Sequence, residues 1–224
     1  MIVSVLLFPG SNCDRDTARA FERAGAKSVI VRCEESELPP KTDLVVIPGG
    51  FSYGDYLRCG AIAKFAPVMS AVAAFVKRGG KALGICNGFQ ILLEARLLPG
   101  AMLRNENQRF ISRNVFLKVA SANNPFLSNF KRSQIVSMPI AHAEGAYYID
   151  PNGLKELYDN DQIALTYCAA DGSKANVNGA IDSIAGVLNK EKNVFALMPH
   201  PERAIGAFNA ENDGLALIKN ALEF

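Results

Sequence analysis

The sequence predicts an α/β fold with a mostly parallel central sheet, helices on both of its faces, and a smaller antiparallel sheet. Short, almost uninterrupted apolar segments at residues 2–8, 28–32, 44–47 and 82–85 are typical of strands that are buried on both faces. The segments between them have helical spacing, so strands and helices alternate along the first half of the chain. After residue 102 the pattern is β-rich and partly alternating, which predicts antiparallel strands.

The first half begins with a strand at residues 2–8, which the proline and glycine at positions 9 and 10 end. A helix follows to about residue 24, with Asn12 or Asp14 as its N-cap and Gly25 as its stop. The second and third strands cover residues 28–32 and 44–47. A long helix is predicted over residues 61–77, because its apolar residues fall on one face. The next helix starts at Asn87 and runs to about residue 96.

The second half contains strands at residues 110–120, 135–138, 163–168, 184–188 and 194–198. The chain closes with a helix predicted over residues 211–222. No repeat, linker or low-complexity segment interrupts the chain, so a single domain over residues 1–224 is predicted.

Composition excludes several classes of function. The chain has 224 residues, 49% of them hydrophobic, and a net charge of +2, without a cluster of basic and aromatic residues that would bind nucleic acid. No apolar run reaches the roughly 20 residues that a membrane helix needs, and the amino terminus does not read as a signal peptide. Five scattered cysteines without a C-x-x-C pair disfavour zinc and a disulfide framework. A cytoplasmic location is therefore expected.

Cys86 lies between a predicted strand and a predicted helix, with Gly84 and Gly88 two residues to either side. This is the spacing of a nucleophile elbow, with cysteine in place of serine. The sharp turn strains the backbone of the nucleophile, and glycines at these positions remove side chains that would collide with it. The free N–H groups at the start of the helix favour a thiolate. A structural cysteine in a tight turn is the alternative interpretation.

A glycine-rich loop, residues 48–58, follows the third strand, at the sheet edge where α/β folds place their sites. The adjacent Gly49 and Gly50 allow backbone N–H groups to face a cavity without side chains in the way. This favours an oxyanion donor at Gly50, although a plain tight turn has the same residues. A phosphate-binding loop is disfavoured, because neither glycine-rich phosphate motif is present.

One of the two histidines, His200, lies between two prolines at the end of the predicted strand 194–198, and Glu202 follows two residues later. The prolines predict an extended backbone, in which residues two apart share a face. The pair thus supplies a base and a carboxylate to orient it, as a nucleophilic triad requires. A surface histidine beside a solvated glutamate is the alternative. No third residue with suitable spacing completes a zinc site.

The other histidine, His142, has Glu144 two residues later, but no proline locks the two side chains together. We expect His142 on the substrate side of the site or in a purely structural role. The remaining cysteines are interpreted as small apolar fillers or incidental thiols, at positions 13, 33, 59 and 168.

Together these motifs resemble the class I, or triad-type, glutamine amidotransferases, which have a flavodoxin-like architecture. The resemblance covers essentially the whole chain and rests on residues 48–51, 84–90 and 199–202. Residues 9–14, 49–58 and 139–145 are more narrowly similar to the stand-alone glutaminase subunits of a purine-biosynthetic synthetase. Ala143 departs from that pattern, since glycine is equally expected there.

The resemblance implies a role for each matching residue. Cys86 would attack the side-chain amide of glutamine, His200 would relay the proton to the leaving ammonia, and Glu202 would orient His200. The backbone N–H groups of Gly50 and Asn87 would hold the oxyanion. The substrate contacts would be Gln90, Gly49 and His142.

The resemblance also implies partners. A large synthetase subunit would use ATP and Mg²⁺ and convert formylglycinamide ribonucleotide to formylglycinamidine ribonucleotide with the ammonia released here. A third, very small subunit joins the two in many such complexes. This chain would need no cofactor or metal of its own. Two alternative hypotheses remain for the chain. It is a cysteine hydrolase of the DJ-1/PfpI-like kind, which shares the cysteine elbow, or a non-catalytic regulatory module descended from an amidotransferase.

Overall fold

The computed structural model describes residues 1–206 and 212–223. Within these residues the chain forms five α-helices and eleven strands. The helices are α1 (Asp14–Arg23), α2 (Pro67–Lys77), α3 (Asn87–Glu94), α4 (Pro151–Asp159) and α5 (Asp213–Ala221). The strands are β1 (Ile2–Leu7), β2 (Lys27–Arg32), β3 (Leu44–Ile47), β4 (Lys81–Ile85), β5 (Ala101–Leu103), β6 (Ile111–Val119), β7 (Ile135–His142), β8 (Ala146–Tyr148), β9 (Ile163–Cys168), β10 (Ile184–Leu188) and β11 (Val194–Leu197).

Nine of the strands form one sheet in the order β2-β1-β3-β4-β11-β10-β9-β6-β7. The first five in this order pair in parallel, and the remaining four continue the sheet with antiparallel pairing. Strands β5 and β8 make a separate two-stranded antiparallel sheet. The predicted fold class is therefore confirmed. The antiparallel strands predicted after residue 102 extend the main sheet, whereas the small sheet uses two strands that the sequence did not predict.

The helix predicted over residues 61–77 is wrong in its first part. A short 3₁₀ turn covers Ala63–Phe65, and α2 begins only at Pro67. Proline disfavours the helical conformation of the residue before it, and Ala66 is extended, with φ −62° and ψ 141°. Phe65, one of the apolar residues on the shared face of the predicted helix, is consequently 78% exposed.

Several predicted boundaries differ from the structure. Cys13 occupies the N-cap position of α1 and its side chain makes no cap hydrogen bond, so neither Asn12 nor Asp14 caps this helix. Strand β7 continues through Pro139, which is tolerated because β7 is the last strand of the sheet. Helix α4 was not predicted, although Asp150 caps it and a proline opens it. The predicted start of the last helix, position 211, lies outside the described residues.

The parallel part of the sheet positions the candidate site. Strands β1, β3, β4 and β11 are consecutive neighbours that run in the same direction, so their carboxyl ends lie along one edge. The glycine-rich loop follows β3, Cys86 follows β4, and His200 follows β11. One contiguous apolar core lies beneath them. In the described part of the chain, no helix combines the length and the apolar character needed to cross a bilayer.

Candidate active site

Cys86 has the backbone strain that a nucleophile elbow requires. Its φ of 50° and ψ of −105° lie in a region that residues other than glycine rarely adopt. The cysteine connects β4 directly to α3, and its thiol is buried, with Sγ 3.7 Å from the carbonyl oxygen of Ala141. The helix begins at the next residue, so the first N–H groups of α3 have no acceptor within the helix.

The two glycines of the elbow are required by close backbone approach. A Cβ atom on Gly88 would lie 1.9 Å from the carbonyl oxygen of Ile47, at the end of β3. A Cβ atom on Gly84 would lie 2.8 Å from the carbonyl oxygen of Gly88. A side chain at either position would force the helix away from the sheet and displace Cys86. The structure therefore shows the close contacts for which glycine was expected at these two positions.

His200 and Glu202 form a buried pair. The Nδ1 atom of His200 lies 2.6 Å from Oε1 of Glu202, and both side chains are at most 2% exposed. Burial favours the neutral ring, but the negative charges of Glu202 and Cys86 outweigh it and raise the pKa of His200 well above its ordinary value. With Nδ1 bonded to the carboxylate, Nε2 is the atom left for proton transfer, and none of the described residues bonds to it.

The backbone around this pair differs from the prediction. His200 is extended, with φ −105° and ψ 91°, but Pro201–Arg203 form a short 3₁₀ turn. Proline is tolerated at the first position of a helical turn, because no hydrogen bond from that nitrogen is needed there. The turn, and not an extended chain, brings Glu202 back to His200.

Sheet register brings the cysteine and the histidine together. Strand β11 pairs with β4, with Leu197 opposite Ile85, and the N–H of Cys86 donates to the carbonyl of Leu197 at 2.9 Å. The two strands therefore end side by side. The N–H of His200 also donates to the carbonyl of Pro139 at 2.8 Å, and this bond holds β7 beside His200.

The glycine-rich loop packs directly onto His200. A Cβ atom on Gly49 would lie 2.8 Å from Cε1 of His200, so only glycine fits against the ring. Gly50 has a φ of +152°, and a Cβ atom there would lie 2.7 Å from Cα of Ser11. The N–H of Ser52 donates to Oδ1 of Asn87 at 3.1 Å and ties the loop to the elbow. The arrangement is compatible with oxyanion donors at Gly50 and Asn87.

If Gly50 is the oxyanion donor that the resemblance implies, replacing it by alanine should lower kcat for glutamine by about 10² to 10³, with a smaller change in KM, because the loop and its N–H would shift away from the oxyanion. Steady-state kinetics of glutamate release would measure the effect. Gly25→Ala is the matched control, since Gly25 also has a positive φ, +96°, but nothing lies within 4 Å of an added Cβ atom. Equal kinetics of the two variants would contradict the oxyanion role.

Gln90 belongs to a chain of buried amides. Nδ2 of Asn87 donates to Oε1 of Gln90 at 2.8 Å, and Nε2 of Gln90 donates to the carbonyl of Glu144 at 2.6 Å. Gln90 therefore joins α3, which follows Cys86, to the 139–145 segment. This places it beside the elbow.

His142 also lies near the His200–Glu202 pair. Its ring is buried, and Nδ1 lies 3.0 Å from Oδ1 of Asn105. Burial, with a contribution from the charge of His200, lowers the pKa of His142 to about 4. The folded protein therefore keeps this histidine neutral near neutral pH.

This shift predicts a pH dependence of stability. The unfolded chain takes up a proton on His142 at its ordinary pKa of about 6.5, whereas the folded chain does so only near 4, so acid favours the unfolded chain in that window. The free energy of unfolding, measured with denaturant, should fall by up to about 3 kcal/mol more for the wild type than for His142→Asn between about pH 7 and pH 4. His200, with a raised pKa, is protonated in both states in most of this window. If the free energies of unfolding of the two proteins changed in parallel with pH, the lowered pKa of His142 would be contradicted.

The sequence interprets Cys13 as a small apolar filler or an incidental thiol. The structure shows a buried thiol that also has a polar partner. Its Sγ accepts a hydrogen bond from Nη2 of Arg203 at 3.0 Å. Ligand atoms of Cys13, His200 and Glu202 all lie within 4.8 Å of one another. Cys13 was missed although its loop follows β1, at the same sheet edge as the other site loops.

This cluster has the donor types of a zinc site, which the sequence spacing did not anticipate. Its atoms are already used in other contacts, however. Nδ1 of His200 is bonded to Glu202, and the guanidinium of Arg203 contacts the sulfur of Cys13. A cation placed there would meet the positive charge of Arg203, so the contacts favour a hydrogen-bonded cluster over a metal centre.

Comparisons with known proteins identify relatives over the whole length. Residues 1–215 match the family model of the CobB/CobQ-like glutamine amidotransferase domain. The chain is 53% identical over 222 residues to phosphoribosylformylglycinamidine synthase subunit PurQ of Sulfurimonas denitrificans, covering 99% of each chain. It is 56% identical over 219 residues to the PurQ subunit of Wolinella succinogenes, covering 98% of each.

Solved structures agree. A chain in the structure of PurLQS from Thermotoga maritima is 40% identical, with a TM-score of 0.88, and the match covers 99% of this chain and 97% of that one. A glutamine amidotransferase from Thermotoga maritima, at 16% identity and a TM-score of 0.60, shares the fold over 100% of this chain and 96% of that one. The chain belongs to the CobB/CobQ-like glutamine amidotransferase family, and within it to the PurQ subunits of phosphoribosylformylglycinamidine synthase.

Proposed function

We propose that this chain hydrolyses L-glutamine to glutamate and ammonia, with Cys86 as the nucleophile, His200 as the acid and base, and Glu202 as its orienter. One observation carries the proposal. The strained Cys86 elbow at the end of β4 lies beside the buried His200–Glu202 pair at the end of the neighbouring strand β11. A nucleophile, a base and an orienting carboxylate in this order of contact are the requirements of covalent amide hydrolysis.

The reaction follows from these positions. The Cys86 sulfur attacks the side-chain carbonyl carbon of glutamine, and the N–H groups of Gly50 and Asn87 hold the oxygen that becomes negative. His200 donates its Nε2 proton to the amide nitrogen, the C–N bond breaks, and ammonia leaves a glutamyl thioester. His200 then removes a proton from water, which attacks the thioester and releases glutamate.

The ammonia passes to a large synthetase subunit of phosphoribosylformylglycinamidine synthase, which uses it to make formylglycinamidine ribonucleotide from formylglycinamide ribonucleotide in purine biosynthesis. The curated PurQ relatives and the PurLQS complex support this assignment. Ammonia in water at neutral pH is mostly protonated and is then no nucleophile, so release inside a closed complex keeps it reactive. In this proposal the large partner uses ATP and Mg²⁺ and the complex is cytoplasmic, with either two subunits or a third small one.

The remaining assignments concern substrate contacts. Gln90, Gly49 and His142 are the proposed contacts to glutamine. Gly49 packs against the His200 ring, the charge of His200 acts on His142, and Gln90 bonds to Asn87, the residue after Cys86. All of these residues act within one domain that spans residues 1–224.

A diazo ketone analogue of glutamine tests the nucleophile directly. The analogue should alkylate Cys86 in the complex, as located by peptide mass spectrometry, and excess glutamine should slow the labelling. Two thiols lie near His200, so the site of labelling separates Cys86 from Cys13. Labelling of Cys13 alone, or no protection by glutamine, would overturn the assignment.

A further inference from the structure

His142 is held in place by the side chain of Asn105, which is fully buried. Nδ2 of Asn105 donates to the carbonyl of Arg109 at 2.8 Å and to the carbonyl of His142 at 2.9 Å. Oδ1 of Asn105 accepts from the backbone N–H of Gly145 at 3.1 Å and lies 3.0 Å from Nδ1 of His142.

These contacts leave only one orientation for the Asn105 amide. If its oxygen and nitrogen were exchanged, the oxygen would face two carbonyl oxygens and the nitrogen would face the N–H of Gly145. Because Oδ1 can only accept, Nδ1 of His142 must donate to it. In the neutral ring the proton is therefore on Nδ1, and Nε2 presents a lone pair.

That lone pair is buried, and none of the described residues donates a hydrogen bond to it. A buried acceptor without a donor costs free energy, so such an atom in a folded protein requires an explanation. Protonation does not supply one, because the pKa of His142 is lowered to about 4 by burial and by the charge of His200. The atom is thus a neutral acceptor that is missing an N–H or O–H donor.

The surroundings indicate which donor fits. Residues on both sides of His142 touch the catalytic machinery: the carbonyl of Ala141 lies 3.7 Å from Sγ of Cys86, and the carbonyl of Glu144 accepts from Gln90 at 2.6 Å. The charge of His200 also contributes to the lowered pKa of His142, so the two rings are near each other. The ligand that reaches this part of the site is the one that Cys86 attacks and His200 protonates.

We propose that Nε2 of His142 accepts a hydrogen bond from the nitrogen that leaves glutamine as ammonia. The proposal rests on the proposed function. The amide nitrogen carries two N–H bonds, one of which points to Nε2 while His200 donates the third proton and the C–N bond breaks. His142 gains and loses no proton, so it orients the nitrogen and releases it as neutral ammonia. The α-ammonium group of glutamine is the rival N–H donor.

The variant His142→Asn removes Nε2 and keeps a donor near the position of Nδ1, so the bond to Asn105 is preserved. In the complex with the synthetase partner, we would compare glutamate release from glutamine and from glutamate γ-methyl ester. The leaving oxygen of the ester carries no hydrogen, whereas both substrates have the same α-ammonium group. The variant should lower kcat for glutamine by about tenfold and leave the ester rate within about twofold.

Equal losses with both substrates would overturn the proposal in favour of the α-ammonium group or a purely structural role, and no loss with either would overturn it outright. Absence of glutamine hydrolysis by the wild type would instead count against the proposed function. A second measurement needs no variant. The chain contains two histidines, so ¹⁵N NMR of the histidine-labelled protein should show one ring with a protonated Nδ1 and a bare Nε2 down to about pH 5. A protonated Nε2 on His142 would also overturn the proposal.

Discussion

Replacing Cys86 by alanine should abolish glutamine-dependent synthesis by the complex and leave synthesis from added ammonium intact. The Cys86 thiol is the only route to the glutamyl thioester in the proposed mechanism, so kcat with glutamine should fall by about 10⁴ or more. Ammonium enters after this step and does not need the thiol. Product formation measured with each nitrogen source on the same preparation gives both rates.

The structure makes the control for this variant specific. Cys168 is also buried, but it lies at the end of β9, three strands from β4 in the sheet, and Cys168→Ala should retain both rates. Cys13 is the more demanding comparison, because it lies near His200 and accepts from Arg203. Cys13→Ser should reduce the glutamine rate far less than Cys86→Ala. The reverse ranking, or loss of both nitrogen sources with Cys86→Ala, would show that the nucleophile is assigned wrongly.

The candidate catalytic residues could be singled out in the sequence because each has a local signature. A Cβ atom at Gly84 or Gly88 would lie 2.8 Å or less from a backbone oxygen, so both positions require glycine. Glu202 lies two residues from His200, so no long-range information is needed to pair them. The Pro201 turn alters the backbone between them without separating the side chains.

Residues that act through the tertiary fold could not be predicted in this way. Asn105 is recognised only by its contacts to His142 and Gly145, which lie 37 and 40 positions away. Cys13 and Arg203 are 190 positions apart and meet because α1 begins at the sheet edge where β11 ends. The exposed Phe65 was misplaced for a local reason, since its apolar spacing fitted a helix that Pro67 prevents.

Replacing Glu202 by glutamine should lower kcat for glutamine by about 10⁴, as loss of the carboxylate does in other nucleophilic triads. Glutamine has the same shape as glutamate and can still accept from Nδ1 of His200, but it carries no charge. The wild-type carboxylate is buried, and its oxygen lies 2.6 Å from Nδ1. Its negative charge opposes the effect of burial and raises the pKa of His200.

The pH profile distinguishes this role from simple support of the fold. His200 must carry the proton that the leaving nitrogen receives, so activity falls as pH rises through the pKa of the His200–Cys86 pair. Without the charge of Glu202 this alkaline limb should move to lower pH. A residue that only supported the fold would lower the rate at every pH and leave the limb in place.

Glu156→Gln is the matched control, because it makes the same chemical change at an exposed position on α4. Its rate and its pH profile should equal those of the wild type, and both variants should unfold cooperatively in a thermal scan. An unchanged alkaline limb in Glu202→Gln would mean that the charge which holds the proton on His200 comes from the Cys86 thiolate alone. Glu202 would then be an anchor for the ring with no electrostatic part in catalysis.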